Sequence, residues 1–186
     1  GASDLARNVA FLMSLDDPLT PISGFDSGGG RTLEADLSKQ FGAEPEARPL
    51  RNRERYPALT RWAAYLGFGH SSTQNGFFID PTTAIRRAFG HMSPGKRPLA
   101  QFLVELGDLL PCCGVGSISD SMRKSLAHPP GDNALMPGLS LGLLRLHDLE
   151  VISLSDESDA TTTYEFVLSA GANPQLFSHI DVRRNK

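Results

Sequence analysis

The chain has 186 residues, 40% of them hydrophobic, 8% aromatic and 21% charged, and its 18 Lys and Arg against 21 Asp and Glu leave a net charge of −3. That is ample apolar material for one domain or two small ones, which excludes a chain disordered by composition. The charge excludes a grip on nucleic acid spread over the whole surface, while leaving room for a local basic patch.

The first helix is predicted from Leu5, Val9 and Leu12, with Ala6, Phe11 and Met13 beside them, opened by Ser3 or Asp4 and stopped by Asp16-Asp17-Pro18. A connection rich in proline and glycine follows. Helical spacing resumes at Leu33, Leu37 and Phe41, with Gly42 as the stop. AEPEARPLRNRER reads as a charged loop. Leu59, Trp62, Ala63 and Leu66 then give a third helix with Pro57 in its first turn. After Gly67, the stretch FGHSSTQNGFFI reads as a hairpin whose tip ends at Asn75-Gly76 and whose return strand holds Phe77-Phe78-Ile79. Asp80-Pro81 opens a further helix, TTAIRRAF.

SPGKRP at 93–98 reads as a linker, because proline, glycine and charge cluster there between two periodic segments. Beyond it the order repeats. Leu99, Phe102, Leu103, Leu106 and Leu110 mark one helix, Ser117 opens a second with Asp120 in the acidic position of a capping box, and Leu139–Leu149 supplies a third. Strands at 151–155 and 162–169 are expected to pair around the tip DESDA, with Ser178-His179-Ile180 as a last short strand.

The expected fold class is therefore mainly α with small β-hairpins. The organisation is a first unit over 4–92, a linker over 93–98 and a second unit over 99–182. Leu5, Val9, Leu12, Leu37, Leu59, Trp62, Leu66 and Phe78 are expected to form one core, and Phe102, Leu106, Leu126, Leu144, Ile152 and Phe166 a second.

Two copies of helix, helix, helix, hairpin resemble the tandem winged-helix domains of bacterial transcriptional regulators and of accessory proteins in chromosome-maintenance and defence systems. The patterns that carry this are LGFGHSSTQNGFFIDPT and LRLHDLEVISLSDESDATTTYEFVLS. More narrowly, RYPALTRWAAYLGF, FFIDPTTAIRRAF and the SDA and SHI patterns are similar to the protein G component of bacterial 7-deazaguanine DNA-modification clusters. That resemblance implies a phage-defence or modification-dependent restriction setting and carries over no catalytic residue.

Arg48, Arg51, Arg53 and Arg55 lie just before the third helix and Arg61 lies within it. In a winged helix that helix enters the major groove, so these cations are placed for phosphates and base edges of duplex DNA. The bland alternative is a solvated loop whose arginines pair with Glu44, Glu46 and Glu54. Arg86-Arg87 and Lys96-Arg97 flank the linker as a DNA-backbone or partner contact, with Lys96 and Arg97 expected as secondary DNA contacts, against the alternative of a plain exposed helix face and linker. Residues 1–95 carry ten cations and ten acids and 96–186 eight and eleven, so the second unit, with its acidic tip and Arg145 as the one fixed cation of its third helix, suits a protein partner or self-association.

No catalytic motif appears. GFDSGGGRT lacks the Gly-Lys-Ser/Thr ending of a phosphate loop, and no GxSxG or HExxH occurs. The five histidines show no metal-ligand spacing, and the neighbours Cys112 and Cys113 cannot easily close an unstrained disulfide, so they read as packed thiols in a reducing compartment. No cofactor, metal or enzymatic activity is expected. No apolar run approaches the roughly 18 residues of a membrane span and no leader peptide is evident, so a soluble cytoplasmic protein is expected. Gly1-Ala2-Ser3 resembles the remnant of a cleaved tag and is set aside from fold reasoning, which leaves open that the chain is a piece of a longer protein.

Overall fold

Residues 8–15 are buried without interruption, although the first helix, α1 (Ala2–Ser14), has the apolar spacing of a half-buried helix. Burial on every side requires neighbours on every side, and the chain supplies them from both halves. The computed structural model describes residues 2–24, 31–42, 48–72, 76–169 and 171–183. Its elements run α1, α2 (Leu33–Phe41), α3 (Tyr56–Leu66), β1 (Gly69–Ser72), β2 (Gly76–Ile79), α4 (Thr82–Ala88), β3 (Gly95–Pro98), α5 (Leu99–Leu109), α6 (Ser117–Ser125), α7 (Pro137–Asp148), β4 (Ile152–Ser155), β5 (Tyr164–Phe166), β6 (Gln175–Phe177) and β7 (His179–Val182). The fold class is mainly α with small antiparallel sheets, as the sequence indicates.

Local chemistry sets the helix ends. The Thr32 hydroxyl accepts from the Ala35 N–H at the start of α2, and α3 closes on Gly67, whose φ of 87° is left-handed. A Cβ at Gly67 would also stand 2.9 Å from the Ala84 nitrogen, so glycine is needed there for space as well as for backbone. β1 and β2 form the expected hairpin, with His70 opposite Phe78. The tip expected over HSSTQNG, residues 70–76, is shorter than that, since 70–72 belong to β1 and Gly76 to β2; residues 73–75 lie outside the described residues, as does 25–30 of the glycine-rich connection.

The second half departs from expectation. Residues 95–98, expected as linker, are strand β3 on the edge of a three-stranded antiparallel sheet of order β3-β7-β4. β4 does not pair with β5. It takes β7, because Ile152 and Leu154 fall opposite Val182 and Ile180 and all four bury on one face. β5 pairs instead with β6. The opening of α6 also differs: the Ser119 hydroxyl accepts from the Gly116 N–H, so the cap lies one residue before Ser117.

Nor do the buried residues divide into two cores. Val9, Leu12, Leu37 and Leu59 join Phe102, Leu106, Leu126, Ile152 and Phe166 in one continuous cluster. Leu5 and Leu144 are half-buried against it. Trp62 and Leu66 are exposed, and Phe77 takes the buried place expected of Phe78.

Contacts between the halves are specific. The Gln40 carbonyl accepts from the Ala127 N–H at 3.0 Å and its side-chain oxygen accepts from the His128 N–H at 3.1 Å. Arg145 on α7 pairs with Asp80, whose other oxygen accepts from the Thr82 N–H at the start of α4. Gly138 and Gly142, one turn apart on α7, let that helix lie directly on α1 and α4. A Cβ at Gly138 would sit 2.9 Å from the Met13 Cα, and one at Gly142 would sit 2.8 Å from Pro81 Cγ and 3.0 Å from Ile85 Cδ1.

Alanine normally stabilises a helix over glycine by about 1 kcal/mol. Here Gly138→Ala should instead destabilise the protein by roughly 1–3 kcal/mol, because the clash is with α1 backbone that cannot step aside. Gly142→Ala should cost less, since it meets side-chain atoms and not backbone: the Pro81 ring edge, which can change pucker, and the tip of Ile85, which can shift. Urea midpoints of the two variants test the order; a stabilised Gly138→Ala would show that α7 does not pack this closely.

Candidate nucleic-acid interface

Three of the seven cations singled out in the sequence, Arg48, Lys96 and Arg97, pair with acids elsewhere in the chain. Arg48 is folded onto α2, where Nη1 meets Glu34 Oε1 at 2.7 Å while Nη2 donates to Ser38 Oγ and the Gly42 carbonyl, and its side chain is only 14% exposed. Arg97 is bound by Glu105 of α5 and the Ser93 carbonyl, with 10% of its side chain exposed. Lys96 pairs with Glu157. All three are engaged within the fold. Releasing them for phosphate would leave Glu34, Glu105 and Glu157 without their partners.

The Lys96–Glu157 pair also corrects the expected acidic tip. Glu157 is drawn down to the sheet, with its other oxygen 3.6 Å from His179 Nδ1 and its N–H donating to Ser178 Oγ at 2.9 Å. Its hydrogen bond from Lys96 holds the carboxyl below the usual glutamate value, and the same bond lifts the ammonium above the usual lysine value. Asp156 and Asp159 stay exposed beside it.

The other four cations, Arg51, Arg53, Arg55 and Arg61, are all exposed. Residues 53–55 form a single 3₁₀ turn, initiated by Asn52, whose side-chain oxygen accepts from the Glu54 N–H at 2.8 Å. That turn runs straight into α3, with Pro57 in the first helical turn. α3 is anchored from inside by Leu59, Ala63 and Tyr56. The Tyr56 hydroxyl donates to the Ile22 carbonyl at 2.9 Å, and burial pushes its pKa up to about 12, so it remains a donor at neutral pH. Arg61 lies on the opposite face and has no hydrogen-bond or ion-pair partner among the described residues. Of the glutamates expected to compete for these arginines, Glu44 and Glu46 lie outside the described residues.

The sequence reading missed what surrounds Arg61. Trp62 is 54% and Tyr65 74% exposed, and their rings meet edge to face at 5.8 Å. Tyr56, Leu59 and Ala63 fall on one helical line; Trp62 lies one residue, or 100°, away from Ala63. Any helix can turn one of two adjacent apolar lines inward, and here the smaller residues won. Arg86 and Arg87 are exposed on α4, and Arg87 Nη1 donates to the Tyr65 carbonyl at 3.3 Å.

Cys112 and Cys113 are buried free thiols. Cys113 lies 3.7 Å from the Met13 sulfur, and its hydrogen bond with Cys112 together with burial pushes its pKa up. Among the described residues no three His, Cys, Asp or Glu side chains converge to hold a metal ion, and no helix is long and apolar enough to cross a membrane.

The Lys96–Glu157 pair sets a pH dependence. A depressed carboxyl contributes stability above its unfolded pKa and loses it as pH falls through the folded value; a raised ammonium contributes below its unfolded pKa and loses it as pH rises through the folded value. Lys96→Met should therefore lower the urea midpoint at neutral pH, by a modest amount because the pair is solvent-screened. The difference from the parent should close below the folded pKa of Glu157. A gap that persists in acid would mean the lysine acts through packing and not through this pair.

A family model described as DpdG-like matches residues 1–160. No curated protein and no solved structure matches the chain. With 160 of its 186 residues inside that match, from α1 through β4, the chain belongs to the DpdG-like family.

Proposed function

We propose that the protein is a non-enzymatic, cytoplasmic accessory component that holds duplex DNA through Arg51, Arg53, Arg55 and Arg61. Membership of the DpdG-like family associates it with a DNA-modification and defence system. The observation that carries the DNA reading is the succession of four exposed arginines at one helix: Arg51 ahead of it, Arg53 and Arg55 in the 3₁₀ turn that leads into it, and Arg61 within it. Glu54 is the one acid between residues 48 and 66. The N-terminal end of α3 adds the positive end of its own dipole to that field. In the tandem winged-helix reading, α3 is the helix offered to the groove and the β1–β2 hairpin is the wing. The net charge of −3 confines binding to this patch.

One observation favours a second reading, that of a protein adaptor. Trp and Tyr beside Arg is the composition of binding hot spots, and the Trp62–Tyr65 pair is exposed on the same face as Arg61.

Equilibrium anisotropy of a labelled random-sequence duplex across a salt series decides between them. Each phosphate contact contributes about 0.9 to the slope of log affinity against log salt, so replacing Arg53, Arg55 and Arg61 with Ala should weaken binding and flatten that slope by up to about 2.7. Lys96→Met should leave both unchanged. Affinity and slope that survive the triple replacement would sink the assignment, and no binding at low salt would leave the adaptor reading.

A further inference from the structure

At the other end of α3 the surface changes character. Leu66 from α3 and Leu109 from α5, 37% and 39% exposed, stand on either side of a groove of about 420 Å³ floored by Phe68, Ala84 and Ala88. Tyr65 stands beside it. Ala84 and Ala88 are one turn apart on α4, so two small side chains leave an opening between larger walls, the form that accepts a side chain from a facing helix. The walls come from both halves of the sequence, so the groove exists only because those halves pack together.

Its charge is one-sided. Arg87 and His91 line one rim, with Arg86 exposed next to them on α4, while Asp108 beside Leu109 is the acid on the α5 side. A nucleic acid would gain from the arginines but has nothing to offer the leucines and alanines. An apolar floor with a basic rim complements an apolar stripe with an acidic flank.

We propose that this groove seats an acidic amphipathic helix of a protein partner, with apolar side chains at i, i+3 or i+4 over Ala84 and Ala88 and its acidic flank against Arg87. The site is distinct from the DNA contacts proposed above: none of those four arginines lines it, and Arg61, the nearest along α3, precedes Leu66 by five residues, about 7.5 Å of helix. Either assignment can fail without the other.

The test is selection of a displayed random peptide library against the folded chain, followed by anisotropy of the labelled winning peptide. The expected consensus has Leu, Ile or Phe at helical spacing with Asp and Glu between them. Leu66→Glu and Leu109→Glu, both at positions already facing solvent, should each weaken that peptide about tenfold or more, with thermal unfolding of each variant as the check that it folds. Arg87→Glu should weaken it too, and exchanging the peptide's acids for Lys should restore binding to that variant. The proposal is overturned if no peptide is enriched, if the consensus is basic or unpatterned, or if affinity ignores these substitutions. It is equally overturned if Leu66→Glu abolishes a concentration-dependent dimer or duplex DNA binding, since a second copy or a nucleic acid would then occupy the face.

Discussion

Burial of the C-terminal half of α1 on all sides is the constraint from which the rest of the molecule follows. Eight successive buried residues, Asn8 to Leu15, cannot be covered by one neighbouring layer, so α3, α6 and α7 all lie against the helix. Its polar members are accommodated largely within the helix: Asn8 Nδ2 donates to the Asp4 carbonyl at 2.7 Å and Ser14 Oγ to the Phe11 carbonyl at 2.7 Å. The close approach of α7 through Gly138 then makes the second half of the chain part of the environment of the first helix. A protein built this way gains apolar burial, at about 25 cal/mol per Å², from contacts between its halves as well as within them.

That arrangement explains why α3 is available. With α1 already enclosed by α6 and α7, α3 contributes a narrow apolar line, and among its buried residues are only Leu59 and Ala63. Tyr56 and Ala64 pack partly against the core beside them, and Arg61, Trp62, Tyr65 and Leu66 are exposed. Arginines collect at its start, aromatic rings in its middle and a leucine at its end, and none of these is needed to close the core. Large apolar side chains left outside on a helix that could have carried polar ones are informative in a way that a scattered exposed leucine is not.

Helix positions, the first hairpin and the fold class were legible in the sequence because each depends on local periodicity and local turn chemistry. Strand partners were not. Alternation at Ile152 and Leu154 fixes which face of β4 is buried but does not say whether β5 or β7 will lie beside it; that choice depends on a strand 25 or more residues away. β3 was hidden for a different reason. Pro94, Gly95 and Pro98 read as breakers, yet Pro98 ends an edge strand, where a missing N–H costs nothing to a ladder. The partners of the basic residues were the least visible feature. Arg48 finds Glu34, and Lys96 finds Glu157, across separations that no local pattern encodes.

Those ion pairs carry a general point about reading basic patches. RPLRNRER looks like one feature in the sequence, but the fold divides it: Arg48 turns inward to satisfy α2 while Arg51, Arg53 and Arg55 stay outside. The same division separates Arg145, which ties α7 to Asp80, from Arg61, which meets no acid among the described residues. A cation that already neutralises a half-buried carboxylate can reach a phosphate only by leaving that carboxylate behind, at a cost of several times the roughly 0–1 kcal/mol of an ordinary surface pair. Exposure is the first requirement for acting on a partner, and Arg51, Arg53, Arg55 and Arg61 meet it together, on and just ahead of α3.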